Sequence, residues 1–297
     1  MSFFLPSEIR AQFAAATSDA EVVLVHSAPR AIGNVVGGID SIVEALVDAL
    51  GSRCTLVVPT FTTDICDPSS FRTPPAPRRQ WEKIRAEVPF FDPARSTPRG
   101  MGRIADLVWR RAEARRSFHP HESIAALGPR ARELVEPHPL DDPMGTRSPW
   151  ARMVALDATI LMIGVGLERC TMIHHVEQLA DVPYLPIAAY VIPVCIEAER
   201  HWVEVEAGGD CSHGFPTLEP LLRARGAIRD VHIGEARSMI VSARALFALA
   251  SARLSEDDTA LLCDRADCEL CVPGRAACEA ARAAPGTAGA RITGKTS

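Results

Sequence analysis

Short apolar runs bounded by turn residues alternate along the chain with stretches whose apolar positions recur every three or four residues. That alternation predicts an α/β fold. Residues 7–20 read as an amphipathic helix, and residues 21–26, Glu-Val-Val-Leu-Val-His, as a buried strand. Residues 27–38 are turn-rich, and Asp40 stands where it can cap a helix over 41–50 that closes at Gly51. A second strand is predicted over 55–59, so the order strand, helix, strand forms a βαβ unit with a parallel pair. Further on, the pattern predicts helices over 102–111 and within 123–134. A third buried strand over 159–163 turns at Gly164-Val165-Gly166 into a helix over 171–180. Residues 190–196 and 202–206 alternate like a β pair, and two helices follow over 217–225 and 236–253.

Two stretches lack a period. Residues 62–99 are rich in Pro, Arg, Ser and Thr, and a long irregular excursion inside a compact domain usually carries function. The last ~20 residues, rich in Ala, Gly, Arg and Thr, read as a disordered tail. The expected organisation is one domain over 1–260 and a cysteine-containing extension with its tail over 261–297. No internal repeat is present.

Composition narrows the function classes. The chain has 297 residues, 47% apolar and 23% charged, with aromatics at only 5%, so the core must be built mainly from Leu, Val, Ile and Ala. Thirty-seven acidic residues against 32 basic ones give a net charge of −5, which argues against a surface that tracks nucleic acid and suits a cationic ligand. The start Met1-Ser2-Phe3-Phe4-Leu5-Pro6 lacks the features of a secretion signal, and no apolar run is long enough to span a bilayer. A cytoplasmic protein with reduced thiols is expected.

Four groups of residues invite chemistry. Gly33, Gly37 and Gly38 let backbone approach a ligand after the first strand, and Arg30 adds a charge suited to phosphate. An ordinary strand-to-helix connection has the same composition. His174 and Glu177 are three apart on a predicted helix and share a face, so the carboxylate can fix the imidazole tautomer for proton abstraction from an amine. A core histidine with a satisfied hydrogen bond fits the same spacing. His119-Pro120-His121 has the look of a metal motif, but a proline between two ligands is awkward, and no metal ligand is assigned. Cys263, Cys268, Cys271 and Cys278 are spaced C-x4-C-x2-C-x6-C, which suits either a small structural zinc site or four reduced thiols. Cys54, Cys66, Cys170, Cys195 and Cys211 have no ligand spacing.

Seven blocks taken together carry a resemblance. They are residues 25–33 (Val-His-Ser-Ala-Pro-Arg-Ala-Ile-Gly), 36–38 (Val-Gly-Gly), 58–62 (Val-Pro-Thr-Phe-Thr), 91–94 with Thr97-Pro98, 116–120 (Arg-Ser-Phe-His-Pro), Ser148-Pro149, and Thr171-x-x-His174-x-x-Glu177. In order and spacing the chain resembles the aminoglycoside 3-N-acetyltransferase family over about residues 18–255. The resemblance implies a three-layer α/β/α sandwich distinct from the GNAT fold. It implies an acyltransferase that uses acetyl-CoA as co-substrate and acetylates the 3-amino group of the deoxystreptamine ring, an antibiotic-resistance activity.

It also implies His174 as general base with Glu177 as its acidic partner. Implied cofactor contacts are Ser27, Arg30, Ile32, Gly33, Val35, Val36, Gly37, Gly38, Thr97, Pro98, Gly100, Met101 and Gly102. Asp64, Glu122, Asp142 and Asp210 lie in loops near these blocks and are the candidates for meeting a cationic amine. The 62–99 excursion matches the family poorly, and it is expected to shape the acceptor pocket. Two alternatives stand beside this reading: an N-acetyltransferase of the same fold with a different small amine, and a metal-dependent hydrolase. The expected partner is a small cationic amine rather than nucleic acid or membrane, and a homodimer is left open.

Overall fold

The computed structural model describes residues 3–71, 74–185, 188–207 and 211–283. The chain opens with β1 (Phe3–Phe4) and α1 (Pro6–Ala16), whose first turn is closed by the Glu8 carboxylate accepting the Leu5 N–H at 2.7 Å. Then come β2 (Val22–Ser27), β3 (Asn34–Val35), α2 (Gly38–Leu50) and β4 (Thr55–Pro59). The excursion holds α3 (Trp81–Glu87), and α4 (Gly102–Trp109), β5 (Arg115–Arg116), β6 (Ile124–Leu127), α5 (Ala131–Val135) and α6 (Pro149–Ala155) follow. The second half contains β7 (Thr159–Ile163), α7 (Met172–Leu179), the hairpin β8 (Ala188–Ile196) and β9 (Glu199–Ala207), and α8 (Glu219–Ala224). It closes with β10 (Ile228–Ile233), β11 (Ala236–Ser242), α9 (Ala243–Glu256) and α10 (Cys271–Ala283). No helix among the described residues is long and apolar enough to cross a membrane.

Among the described residues, a seven-stranded mixed sheet runs β10-β11-β7-β2-β4-β6-β5. The strands β2, β4 and β7 are parallel, with Leu24 opposite both Val57 and Ile160, and antiparallel strands flank them on each side. The β-branched runs explain the placement: every residue of β4 and the first five of β2 are buried, as a central strand covered on both faces requires. Successive side chains serve opposite faces. Val22 and Leu24 join Ile160 and Met162 in a core covered by α5, α6, α7 and α9, while Val23 and Val25 join Leu161 and Ile163 in a core covered by α1, α2 and α4. The molecule is therefore the expected three-layer α/β/α sandwich. A third, smaller cluster (Ile65, Cys66, Phe91, Ile192, Val194, Val205) packs the excursion onto the hairpin.

Two sequence expectations change. Residues 236–253 were expected to be one helix, but residues 236–242 are β11, which pairs antiparallel with β7 from Ser238↔Ile163 to Ser242↔Thr159. The run Met239-Ile240-Val241 fits a pleated surface, and cross-strand pairing on both sides outweighs its weak helical periodicity. The helix proper starts after Ser242, whose Oγ accepts the Ala245 N–H at 3.0 Å. The helix expected from Asp40 instead starts at Gly38. Gly37, at φ +81, turns the chain directly into it, and Asp40 sits in the first turn, where a carboxylate favours the positive helix end.

The expected tail lies largely outside the described residues, as does Asp210. Within the extension, Cys271 and Cys278 of α10 are buried in the core shared with α7 and α9.

Two glycines should respond differently to alanine. A Cβ on Gly37 would meet only the Ser41 side chain, its hydroxyl at 2.0 Å, which can swing away, and its Cβ at 3.2 Å, whereas a Cβ on Gly128 (φ +135) would lie 2.5 Å from the Cys54 carbonyl oxygen and 2.7 Å from Thr55 Cα. Gly37→Ala should cost about 1–2 kcal/mol from the positive φ alone. Gly128→Ala should cost about 3 kcal/mol or more, because backbone must also move. Urea unfolding of the two variants, read at the transition midpoint, checks the order.

Candidate active site

In an open α/β sheet, ligands enter where neighbouring parallel strands send their connections to opposite faces. That point lies between β2 and β7: α2, which follows β2, covers one face, and α7, which follows β7, covers the other. A cleft of about 680 Å³ opens there, floored by the strand ends at Val25–Ala28, Pro59 and Gly164. Gly100, Met101 and Gly102 line it from the start of α4, which has no side-chain cap and so presents backbone N–H groups. His174, Glu177 and Gln178 of α7, with Cys170 and Thr171 before it, line it from the other side.

His174 and Glu177 sit on the cleft face of α7. His174 Nδ1 is 2.8 Å from Glu177 Oε2, and Tyr184 donates its hydroxyl to Glu177 Oε1 at 2.8 Å. The Glu177 side chain is only 3% exposed, against 19% for His174. A carboxylate so far from water survives only if both oxygens are bonded, and here both are. Burial first, and the Glu177 charge second, push the Tyr184 phenol far above its ordinary pKa, so it stays a neutral donor. With Nδ1–H given to Glu177, the neutral imidazole keeps its lone pair on Nε2. Phe215 sets its ring against the imidazole at 4.7 Å in an edge arrangement. The Glu177 carboxylate and the Phe215 ring thus flank the imidazole on two sides.

Five other histidines, His26, His119, His121, His138 and His175, are buried. Burial leaves His26, His121 and His138 with pKa values pushed down to about 4 and lowers His119 well below its ordinary value. His138 bonds Ser117 Oγ and Pro143 O at 2.9 and 2.8 Å, His119 Nδ1 accepts the Glu122 N–H at 3.0 Å, and the two rings stack at 4.8 Å. His175 is turned into the core, bonded to the Met144 carbonyl. Among the described residues, no three histidines form a ligand set; the one group able to hold a metal consists of cysteines.

A second cavity of about 670 Å³ adjoins the cleft at Thr63 and Glu122 and is walled by the excursion. Arg116 moors that excursion at both roots. Its guanidinium donates to the carbonyls of Thr60 and Ser96 and, through Nε, to Ser123 Oγ at 3.1 Å. In the middle, Arg85 grips Asp67 through two bonds of 2.6 and 3.1 Å, holding that carboxyl down to about 2.

The residues nominated from sequence fall into three groups. Ser27, Gly100, Met101, Gly102, Glu122, His174 and Glu177 converge on the cleft, and Asp64 and Glu122 line the second cavity. Arg30, Ile32, Gly33, Val35, Val36, Gly37, Gly38, Thr97 and Pro98 are not among the cleft-lining residues. Ile32 and Val35 are buried in the core under α2, and Val36 donates its N–H to Phe4 O at 3.0 Å. Asp142 is spent on its own turn, accepting the Arg147 N–H at 2.8 Å. Sequence reasoning missed Tyr184, Phe215, Glu168 and Asp181. The only signal for Tyr184 was its nearness in sequence to Glu177, since it lies in the turn beyond α7 and not on the helix. Phe215 had none.

A family model described as aminoglycoside 3-N-acetyltransferase matches residues 24–255. The chain is 35% identical over 241 residues to aminoglycoside N(3)-acetyltransferase VII of Streptomyces paromomycinus, covering 76% of this chain and 82% of the relative. It is 36% identical over 243 residues to aminoglycoside N(3)-acetyltransferase IX of Micromonospora chalcea, covering 77% and 85%. Among solved structures it resembles the YokD protein from Bacillus subtilis with a TM-score of 0.79 at 26% identity, covering 87% of this chain and 96% of that one. It also resembles AAC-IIIb in its binary complex with CoASH with a TM-score of 0.75 at 29% identity, covering 86% and 97%.

Two outcomes are expected from the site's polar core. Tyr184→Phe keeps the ring and leaves Glu177 Oε1 without its donor, which should cost about 1–3 kcal/mol in denaturant unfolding. The second concerns acid. Between the ordinary histidine value of 6.5 and about 4, the unfolded chain binds protons on His26, His121 and His138 that the folded chain refuses. Their contribution is therefore complete above about pH 6.5 and is lost as the pH falls, at a limiting slope near 1.4 kcal/mol per pH unit for each such ring. Unfolding free energies measured between about pH 7 and about pH 4.5 check the slope.

Proposed function

Because the chain belongs to the aminoglycoside 3-N-acetyltransferase family, whose model spans residues 24–255, we propose that it moves the acetyl group of acetyl-CoA directly onto the 3-amino group of a deoxystreptamine aminoglycoside, with His174 as general base. As a member of that family it is an acyltransferase, and acetyl transfer to an aminoglycoside amine is the activity its relatives are named for. The observation that carries the finer reading is the His174–Glu177–Tyr184 relay opening onto the cleft.

In this reading the thioester lies along Ser27 and the Gly100–Gly102 turn, and the CoASH complex of the related AAC-IIIb supports a coenzyme A site in this fold. The acceptor enters from the second cavity. Glu122 and Asp64, together with Glu168 and Asp181 of the cleft, supply carboxylates for a polycationic sugar. As the amine nitrogen bonds to the acyl carbon, His174 Nε2 takes its proton, and buried Glu177 stabilises the imidazolium that forms. The carbon–sulfur bond then breaks, and the departing thiolate recovers a proton from His174 or from water. The uncapped first turn of α4 offers N–H groups for the oxyanion.

A covalent acetyl-cysteine route is disfavoured on chemical grounds. Cys170 lines the cleft, but burial pushes its thiol up to about 12, so it is protonated near neutrality and a poor nucleophile.

His174→Ala should lower kcat by about 10²–10⁴-fold with little change in acetyl-CoA binding. Thiol release from acetyl-CoA with a deoxystreptamine aminoglycoside measures it, and a panel of other small amines run alongside reports the acceptor class. Turnover of the folded variant close to wild type would remove His174 from the mechanism.

A further inference from the structure

Spacing grouped Cys263, Cys268, Cys271 and Cys278, but the fold regroups them. The Cys278 sulfur faces the Asp258 carbonyl at 3.9 Å, and Cys211, 52 residues before Cys263, takes its place. The sulfurs of Cys211, Cys263, Cys268 and Cys271 all lie within 4.8 Å of one another. Cys211 Sγ is 3.7 Å from that of Cys263 and 3.6 Å from that of Cys268. A tetrahedral zinc with Zn–S bonds of about 2.3 Å separates its sulfurs by about 3.8 Å. The cysteines thus already have the spread of a closed four-thiolate site.

The backbone is arranged to match. The Cys271 N–H donates to Cys268 Sγ at 3.3 Å, and the Cys263 N–H donates to Cys271 Sγ at 3.3 Å. Donors aimed at sulfur favour the thiolate, which is the form a metal binds. Reduced cysteines also pack as small apolar groups, and buried Cys54 and Cys170 do so singly. Apolar packing gives no reason for four sulfurs from three separate segments to converge, nor for N–H groups to point at them.

We propose that Cys211, Cys263, Cys268 and Cys271 bind a single structural zinc ion that clamps the C-terminal helix to the back of the catalytic cleft. Two of the three segments it joins reach the His174–Glu177–Tyr184 set. Cys211 leads into Phe215, whose ring lies against His174. Cys271 begins α10, where Gly274 is so close to Tyr184 that a Cβ there would be 2.9 Å from the Tyr184 Cβ. The ion would therefore act through Phe215 and Tyr184 as a positioning element and touch no substrate. This assignment is independent of the acceptor and of the general-base reading, since its readouts are metal content and spectra.

The test uses the full-length chain expressed with zinc and kept reduced. Elemental analysis should find one zinc per chain. Replacement by Co²⁺ should give a thiolate-to-cobalt charge-transfer band and the intense ligand-field bands of tetrahedral cobalt. Cys211→Ser should lose the tightly held metal, and Cys278→Ser should keep it. Wild-type protein that holds no zinc and gives no tetrahedral thiolate spectrum would overturn the site, as would loss of metal in Cys278→Ser with retention in Cys211→Ser. If Cys211→Ser does not fold, the wild-type cobalt spectrum decides, backed by a mercurial titration that should release zinc as four thiols react.

Discussion

A carboxylate almost completely removed from water stands at the wall of the cleft. Glu177 is tolerable where it stands only because one oxygen meets the Tyr184 hydroxyl and the other meets His174 Nδ1. Hydrogen bonds to a charged group are each worth about 1.5–3 kcal/mol, enough to offset much of the desolvation that burial imposes. The same bonds fix which imidazole nitrogen faces the cleft. One side chain thus ties together the hydroxyl of Tyr184 and the imidazole of His174, and the elements around it hold both partners in place. Helix α7 supplies the histidine, the turn after it supplies the tyrosine, and Phe215 stops the ring from rotating.

The sheet explains where the cleft beside these groups lies. Val23 and Val25 face one helical layer and Val22 and Leu24 the other, so the central strands are covered on both sides and cannot themselves admit a ligand. The opening appears only at the strand ends, where the connections after β2 and β7 diverge. Local sequence dictates the strands, but the crevice is a property of their order.

That distinction also marks what could be read from the chain. The three parallel strands, the βαβ unit and the His174–Glu177 spacing were legible, because each depends on neighbours within a few residues. Strand β11 was not, since its identity comes from pairing with β7 some 80 residues earlier, from Ser238↔Ile163 onward. Cys211 was likewise invisible to a spacing argument, being brought to Cys263 by the fold. The glycines at 33, 37 and 38 were legible as turn residues; that they stand outside the lining of the cleft was not, because composition does not say where a loop lies relative to a cavity.

Arg116 carries one more implication. By binding the carbonyls of Thr60 and Ser96, it staples the entrance and exit of the excursion to the sheet edge, so the chain between them forms a closed flap with a fixed base. Whatever happens to the residues inside that flap, the floor beneath it stays put. Substitution or insertion between those two points can therefore rewrite the wall of the second cavity without moving its anchors. A scaffold built this way is suited to diversify in what it modifies while conserving how it does so.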